Sequence, residues 1–200
     1  MTKYIAIRND LLFSRITRSL REKVMQLSGN VNKKIILEVA PGTGNQAALY
    51  AQSGAIYTGI DLSPEMVERA KKKLDGQENI EISLGNATKL PYENNHFDLA
   101  TVTLALHEMK PETRNKVLEE MIRVTKGPLV IADYSAEERN PFNDFAIRII
   151  ERLAGKEHYQ GYKHFMANGG VHSLVKQHNL KVEEELFFAG RNIAILRLAK

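Results

Sequence analysis

The chain has 200 residues, 43% of them apolar, which is enough for one domain with a full core. It contains no cysteine, which excludes disulfides, a thiol nucleophile and thiolate metal ligation. Residues 1–33 carry +5 and the remainder −1, a pattern that suits an acidic ligand, an anionic surface or RNA, and more commonly a solvated helix face. No run of about 18 apolar residues offers a membrane span. The charged opening MTKYIAIRNDLLFSRITRSLREK is unlike a secretory signal, so a cytoplasmic protein is expected.

Leu12, Ile16, Leu20, Val24 and Leu27 recur every three or four positions with Arg15, Arg18 and Arg21 between them. That spacing predicts an amphipathic helix ending near Gly29. The β-rich run 34–39 (KIILEV) reads as a buried strand leading into the loop APGTG, and 45–52 as a helix. Residues 55–60 form a second strand. Ser63 and Pro64 then supply an N-cap and a first-turn proline for a helix reaching Leu74. Strands at 80–84 and 97–104 follow, then a helix over 111–124, a Gly127-Pro128 break and a fifth strand at 129–133. Beyond it come a helix over 141–153, a glycine- and aromatic-containing insertion over 155–169, and a short helix over 171–178. Strands at 181–188 and 193–198 are joined by the turn AGRN. Such an order predicts an α/β, doubly wound, mostly parallel sheet with helices on both faces and a C-terminal antiparallel hairpin. Ligands of these sheets bind beyond the carboxyl ends of the strands.

Gly42-Thr43-Gly44 follows the first strand and lets the backbone turn sharply next to a ligand, while the following helix offers unpaired N–H groups. Asp61 ends the second strand, 19 positions after Gly42, where a carboxylate can accept from both hydroxyls of an adenosine ribose. Its other reading is a helix cap, a role Ser63 already fills. Together these features fit a nicotinamide dinucleotide or S-adenosylmethionine. The stretch from Gly42 to Ala47 satisfies G-x-G-x-x-A, and Tyr159–Lys163 matches the Y-x-x-x-K pair of short-chain dehydrogenases. The latter lacks the serine that should precede it, since none occurs between Ser135 and Ser173.

The segments ILEVAPGTGN, YTGIDLSPEMVERAKKKL, GNATKLPYENNHFDLATVTLALHEM and GGVHSL, in this order, resemble the class I S-adenosylmethionine-dependent methyltransferases. The similarity is greatest to the small-molecule group that includes ubiquinone/menaquinone-biosynthesis enzymes. The resemblance implies a Rossmann-like fold with S-adenosylmethionine as cofactor. It places Glu38 and the Ala40, Pro41, Gly42 and Gly44 backbone around the methionine part of the cofactor, and Asp61 on the ribose. Leu62 and Met66 would line the adenine. Asn86 would face its exocyclic amine, with the Ala87 N–H at a ring nitrogen, and Thr103 and Leu104 would turn carbonyls to the ammonium. Ala40 stands where the family usually has glycine, and Asn86 where it usually has aspartate.

Methyl transfer of this kind needs in-line alignment, and a base only where the acceptor must lose a proton. His107 is the candidate base. Tyr134, Tyr159, Tyr162 and His164 are candidates for an acceptor pocket, although Tyr159, Tyr162 and Phe165 also fit a helix-packing face. No metal is expected, because His172 and His178 would diverge on their helix and no partner has ligand spacing. The tetrapeptide of base-methylating enzymes is missing where TLAL stands, so a nucleic-acid partner is not expected. Residues 1–33 would form a lid on the domain of residues 34–200, which carries an insertion at about 140–169. Two other functions remain open: a non-catalytic S-adenosylmethionine-binding module and a nicotinamide-dependent oxidoreductase.

Overall fold

The computed structural model describes residues 17–137 and 139–200, and the expected positions of Leu12 and Ile16 lie outside them. In chain order the elements are α1 (Arg18–Ser28), β1 (Ile35–Val39), α2 (Asn45–Gln52), β2 (Ile56–Asp61), α3 (Pro64–Lys73), β3 (Ile80–Leu84) and β4 (Leu99–Thr103). A 3-10 turn (Leu106–Glu108) leads to α4 (Pro111–Val124), β5 (Leu129–Tyr134), α5 (Pro141–Ala154), α6 (Lys156–Ala167), α7 (Gly170–Gln177), β6 (Lys181–Phe188) and β7 (Ile193–Ala199).

The seven strands form one sheet in the order β3-β2-β1-β4-β5-β7-β6. β1 to β5 run parallel, and β7 runs antiparallel to both β5 and β6. From β1 the chain first winds outward to β3, then returns to β4 and winds the other way. Right-handed crossovers therefore put helices on opposite faces of the two halves. The reversal between β1 and β4 is the topological switch point, the place beyond the strand ends where sheets of this kind bind ligands. The central strands are buried through almost their whole length, as Ile36, Leu37, Val39, Ala100, Val102 and Val130 show. β6 is an edge strand whose Glu183, Glu184 and Glu185 are exposed, which discourages pairing with another chain.

Local signals set several boundaries. The Ser63 hydroxyl caps α3 by accepting from the Met66 N–H at 3.3 Å, with Pro64 in the first turn. The Asn140 side chain caps α5 by accepting from the Phe142 and Asn143 N–H groups. α1 ends at Gly29 and buries Leu20, Val24 and Leu27 against β5, β6, β7 and α2. Arg197 of β7 donates to the Leu27 carbonyl at 2.7 Å, a cation placed on the helix C-terminus. Residues 18–28, a third of the expected lid, are thus packed on the sheet, and residues 1–16 lie outside the described ones.

The insertion expected over 155–169 is a helix, α6, separated from α5 by Gly155 alone. Gly161 interrupts its apolar pattern, and packing requires that glycine. A Cβ there would lie 2.7 Å from the Glu108 carbonyl oxygen and 3.0 Å from that of His107. α6 therefore presses its backbone onto the 3-10 turn.

Candidate functional site

Two groups of buried polar side chains occupy the carboxyl end of the sheet. The first surrounds the switch point. Ala40 leaves β1 at φ 54°, and Gly42 and Gly44 follow at 56° and 74°. A Cβ on Gly42 would meet nothing within 4 Å, so the loop borders open space there. A Cβ on Gly44 would instead lie 2.7 Å from Leu74 Cδ1, so that glycine serves the packing of α2 on α3. The left-handed φ of Ala40 explains why glycine suits this position: an L-residue there costs about 1–2 kcal/mol. The departure from the family pattern is paid in backbone strain, and the loop keeps its bond from the Ala40 N–H to the Ile60 carbonyl at 2.9 Å.

Asp61 is buried at the end of β2. One of its oxygens accepts from the Gly42 N–H at 3.0 Å and the other from the Ser63 N–H at 2.8 Å. Each carboxylate oxygen can accept a second bond, so capacity for two hydroxyls remains. Next to it Leu62 is 72% exposed, a large apolar side chain left without cover at the crevice, and Met66 is half-buried one helical turn on. Glu38 lies beneath the loop and accepts from the Tyr57 hydroxyl at 2.5 Å. Burial, opposed by this bond and reinforced by the charge of Asp61, raises its carboxyl to about 7, while Arg21 has the smallest, opposing effect. Glu38 and Asp61 thus lie near enough for the charge of one to act on the other.

On the far rim the Asn86 oxygen accepts from both the Thr88 N–H (3.0 Å) and the Thr88 hydroxyl (2.9 Å). That turn fills the oxygen expected to meet an adenine amine, and what it leaves for a ligand is the amide NH₂. Ala87 is half-buried against the core. At the end of β4 the Thr103 hydroxyl is buried without a partner, and Leu104 takes a left-handed φ of 51° while its N–H donates to the Ala132 carbonyl at 2.8 Å. Strain in a bulky residue at a strand end is a mark of functional loops.

The second group lies beyond β4 and β5. His107, expected as an accessible base, is only 2% exposed. Its Nδ1 is 2.8 Å from Asp133 Oδ1, and its Nε2 faces Glu151 Oε2 at 3.6 Å. Burial disfavours the charged ring, yet Asp133 and then Glu151 outweigh it and lift the histidine to about 10. A buried ring held between two carboxylates that favour its protonated form does not suit a general base, so this geometry lends no support to the role expected for His107. Asp133 also accepts from the Leu106, His107 and Tyr134 N–H groups, which fixes the 3-10 turn to β5. Arg114 clamps the same turn by donating to the Leu106 and Met109 carbonyls, and lies 4.6 Å from the Phe165 ring centroid.

Tyr134 donates to Glu151 at 2.6 Å and packs edge-on to Tyr162, which stacks with Tyr159. These three expected pocket residues do come together, alongside His107. Burial, then Glu151, holds Tyr134 well above the usual phenol range. His164 does not join them. It is exposed two positions past Tyr162, bonds Asn168, and borders a separate cleft of about 190 Å³ with Arg114 and Leu174. A step of two residues turns a helical side chain by about 200°, so both cannot point inward. The fully buried Phe165 confirms that much of this helix face is packing.

Glu151, His158, Asp133 and Arg114 were not expected at the site. Asp133 carried a signal, an acid at the end of a buried strand, as Asp61 did. The convergence of His107, Glu151 and His158, whose ligand-type atoms lie within 4.8 Å of one another, overturns the reason for expecting no metal. The three come from different elements, which ligand spacing along the chain does not reveal.

Residues 37–128 match the model of a family described as a methyltransferase domain. A demethylmenaquinone methyltransferase of Bacillus licheniformis is 30% identical over 166 residues, covering 78% of this chain and 70% of that relative. One from Renibacterium salmoninarum is 32% identical over 156 residues, covering 75% and 64%. The chain spans only 64%, 59% and 55% of the length of three such relatives. A SAM-dependent methyltransferase from Aquifex aeolicus superposes with a TM-score of 0.65 at 22% identity, over 89% of this chain and 88% of that one. The magnesium protoporphyrin IX methyltransferase of Synechocystis, solved with bound SAH, gives 0.67 at 15% identity, over 93% and 82%. No helix among the described residues is long and apolar enough to cross a membrane.

Proposed function

The chain belongs to the class I S-adenosylmethionine-dependent methyltransferases, and on that premise we propose that it transfers a methyl group from this cofactor to a small-molecule acceptor. The observation that carries the reading is the crevice at the switch point: an open glycine loop at Gly42, two acids at Glu38 and Asp61, and an uncovered Leu62. These residues fit the cofactor. Asp61 holds the ribose hydroxyls with its free acceptor capacity, while Leu62 and Met66 flank the adenine and the Ala87 N–H meets its edge. Glu38, the Ala40–Gly44 backbone, and Thr103 and Leu104 surround the methionine part, and the acids favour its cationic groups.

When bound, the cofactor supplies a sulfonium-activated methyl group. The chain's contribution is alignment, which is worth about 7–11 kcal/mol in well-oriented reactions. Tyr159, half-buried over the buried Tyr134 and Tyr162, is the aromatic side chain left to meet an acceptor ring. Named relatives act on demethylmenaquinone, and one group of them is described as C-methyltransferases. A quinone-type aromatic acceptor methylated at carbon is therefore the first to test. A cytoplasmic setting without nucleic acid completes the reading. Incubation with methyl-labelled cofactor and either demethylmenaquinone or a metabolite extract should yield a labelled product and one equivalent of S-adenosylhomocysteine. Cofactor binding with no labelled product would favour the non-catalytic module, and selective stabilisation by NAD or NADP would favour the oxidoreductase.

A further inference from the structure

The polar cluster beyond β4 and β5 is built differently from a simple ion pair. His107 Nδ1 is 2.8 Å from Asp133, and His158 Nδ1 is 2.7 Å from Glu108. The outward nitrogen of each ring is thus committed to a carboxylate, and the inward Nε2 of each is aimed at one oxygen of Glu151, at 3.6 Å and 2.7 Å. The other oxygen of Glu151 is held by the Tyr134 hydroxyl. Within this fixed frame, His107 Nε2 is fully buried and makes no hydrogen bond, its nearest acceptor being Glu151 Oε2 at 3.6 Å. An orphaned buried nitrogen is costly, and one that faces a carboxylate oxygen and a second ring nitrogen within 4.8 Å points to a missing third party.

We propose that His107, Glu151 and His158 form a binding site for a divalent transition-metal ion, with Zn²⁺ as the best-matched probe. Two imidazole nitrogens and one carboxylate oxygen suit Zn²⁺ and its first-row neighbours, whereas Mg²⁺ and Ca²⁺ require oxygen donors. Tetrahedral coordination at about 2.0–2.1 Å puts donors about 3.3 Å apart, between the 2.7 Å and 3.6 Å separations from Glu151, so small side-chain rotations would open the first and close the second. Asp133 and Glu108 occupy the positions from which carboxylates orient metal-bound histidines and raise their basicity. Two neutral rings with one divalent ion also carry the same charge as two protonated rings without it, so occupancy adds no net buried charge. Three protein donors leave a fourth position for water or an oxygen ligand, and the ion would tie the turn after β4 to α5 and α6. The site stands independently of the methyl-transfer reading.

Untagged protein stripped by chelator dialysis is titrated with Zn²⁺ by calorimetry, and in parallel with Co²⁺ by visible absorption. The site predicts one saturating equivalent and a Co²⁺ spectrum typical of low-coordinate nitrogen and oxygen ligation. His158→Ala, at the most exposed ligand, should weaken binding at least tenfold, and Glu108→Gln about tenfold through loss of the carboxylate behind the ring. His96→Ala, at an exposed histidine outside the cluster, should leave binding unchanged. Absence of saturable uptake by the wild type, or uptake that neither His158→Ala nor Glu108→Gln weakens, would overturn the proposal and leave an ion-pair network alone. Should His158→Ala fail to fold, the wild-type Co²⁺ spectrum and Glu108→Gln still decide.

Discussion

Two buried acid centres lie at the same end of one sheet and differ in what balances them. Glu38 and Asp61, at β1 and β2, are held by the Tyr57 hydroxyl and by backbone N–H groups, and the carboxyl of Glu38 rises to about 7. Glu151, approached by His107 and His158, is pulled down to about 2 even though burial opposes it. Among the described residues the first centre is incomplete in charge and open at Gly42, whereas the second is balanced in charge by its two histidines but leaves His107 Nε2 without a hydrogen bond. Incompleteness next to open space suits an organic ligand, whereas an enclosed and charge-balanced cluster suits an ion or a framework that positions the residues around it.

Substitutions can break this contrast, and the largest effect is expected at the balanced centre. Glu151→Gln removes the charge that two histidines and Tyr134 share, and should cost about 3–5 kcal/mol in denaturant unfolding, as breaking a buried pair does. In the metal-free protein the contribution of Glu151 is present above its unfolded pKa and fades as pH falls toward about 2.

Glu38 has the opposite sign. Because its folded pKa is raised, the native state holds the proton more tightly than the unfolded one, and stability falls as pH rises from about 4.5 to about 7. Glu38→Gln should therefore raise stability at pH 8 by on the order of 2–3 kcal/mol, shrinking toward zero at pH 4. Equal effects at both pH values would show that the incomplete centre does not exist. The smallest change is Ala40→Gly, which relieves the left-handed strain and should add up to about 1 kcal/mol without altering cofactor selectivity.

Sequence reasoning succeeded where one strand end carried its own signal. The glycine loop, Asp61 and the Ser63 cap follow from local chemistry, and the alternation of strands and helices determines the sheet. It failed where three-dimensional convergence decides. α5 shows Phe142, Phe145 and Leu153 to solvent, Phe142 at 81% exposure, and buries Ile147 and Glu151 instead. An apolar stripe thus points to the wrong face, and nothing local marks Glu151 as the centre of a cluster. Gly161 made α6 read as an insertion because its role is contact with the turn rather than helix formation. The strain at Ala40 is invisible without its φ angle.

The central claim is that the β1–β2 crevice grips an adenosyl ligand through Asp61, and calorimetric titration of S-adenosylhomocysteine into the wild type and Asp61→Ala tests it most directly. The account predicts a single site in the wild type and a loss of about 1.5–3 kcal/mol for each charged hydrogen bond removed in the variant, or roughly tenfold to a hundredfold in Kd. Equal affinity in the two proteins, or no binding by a folded wild type, would contradict it.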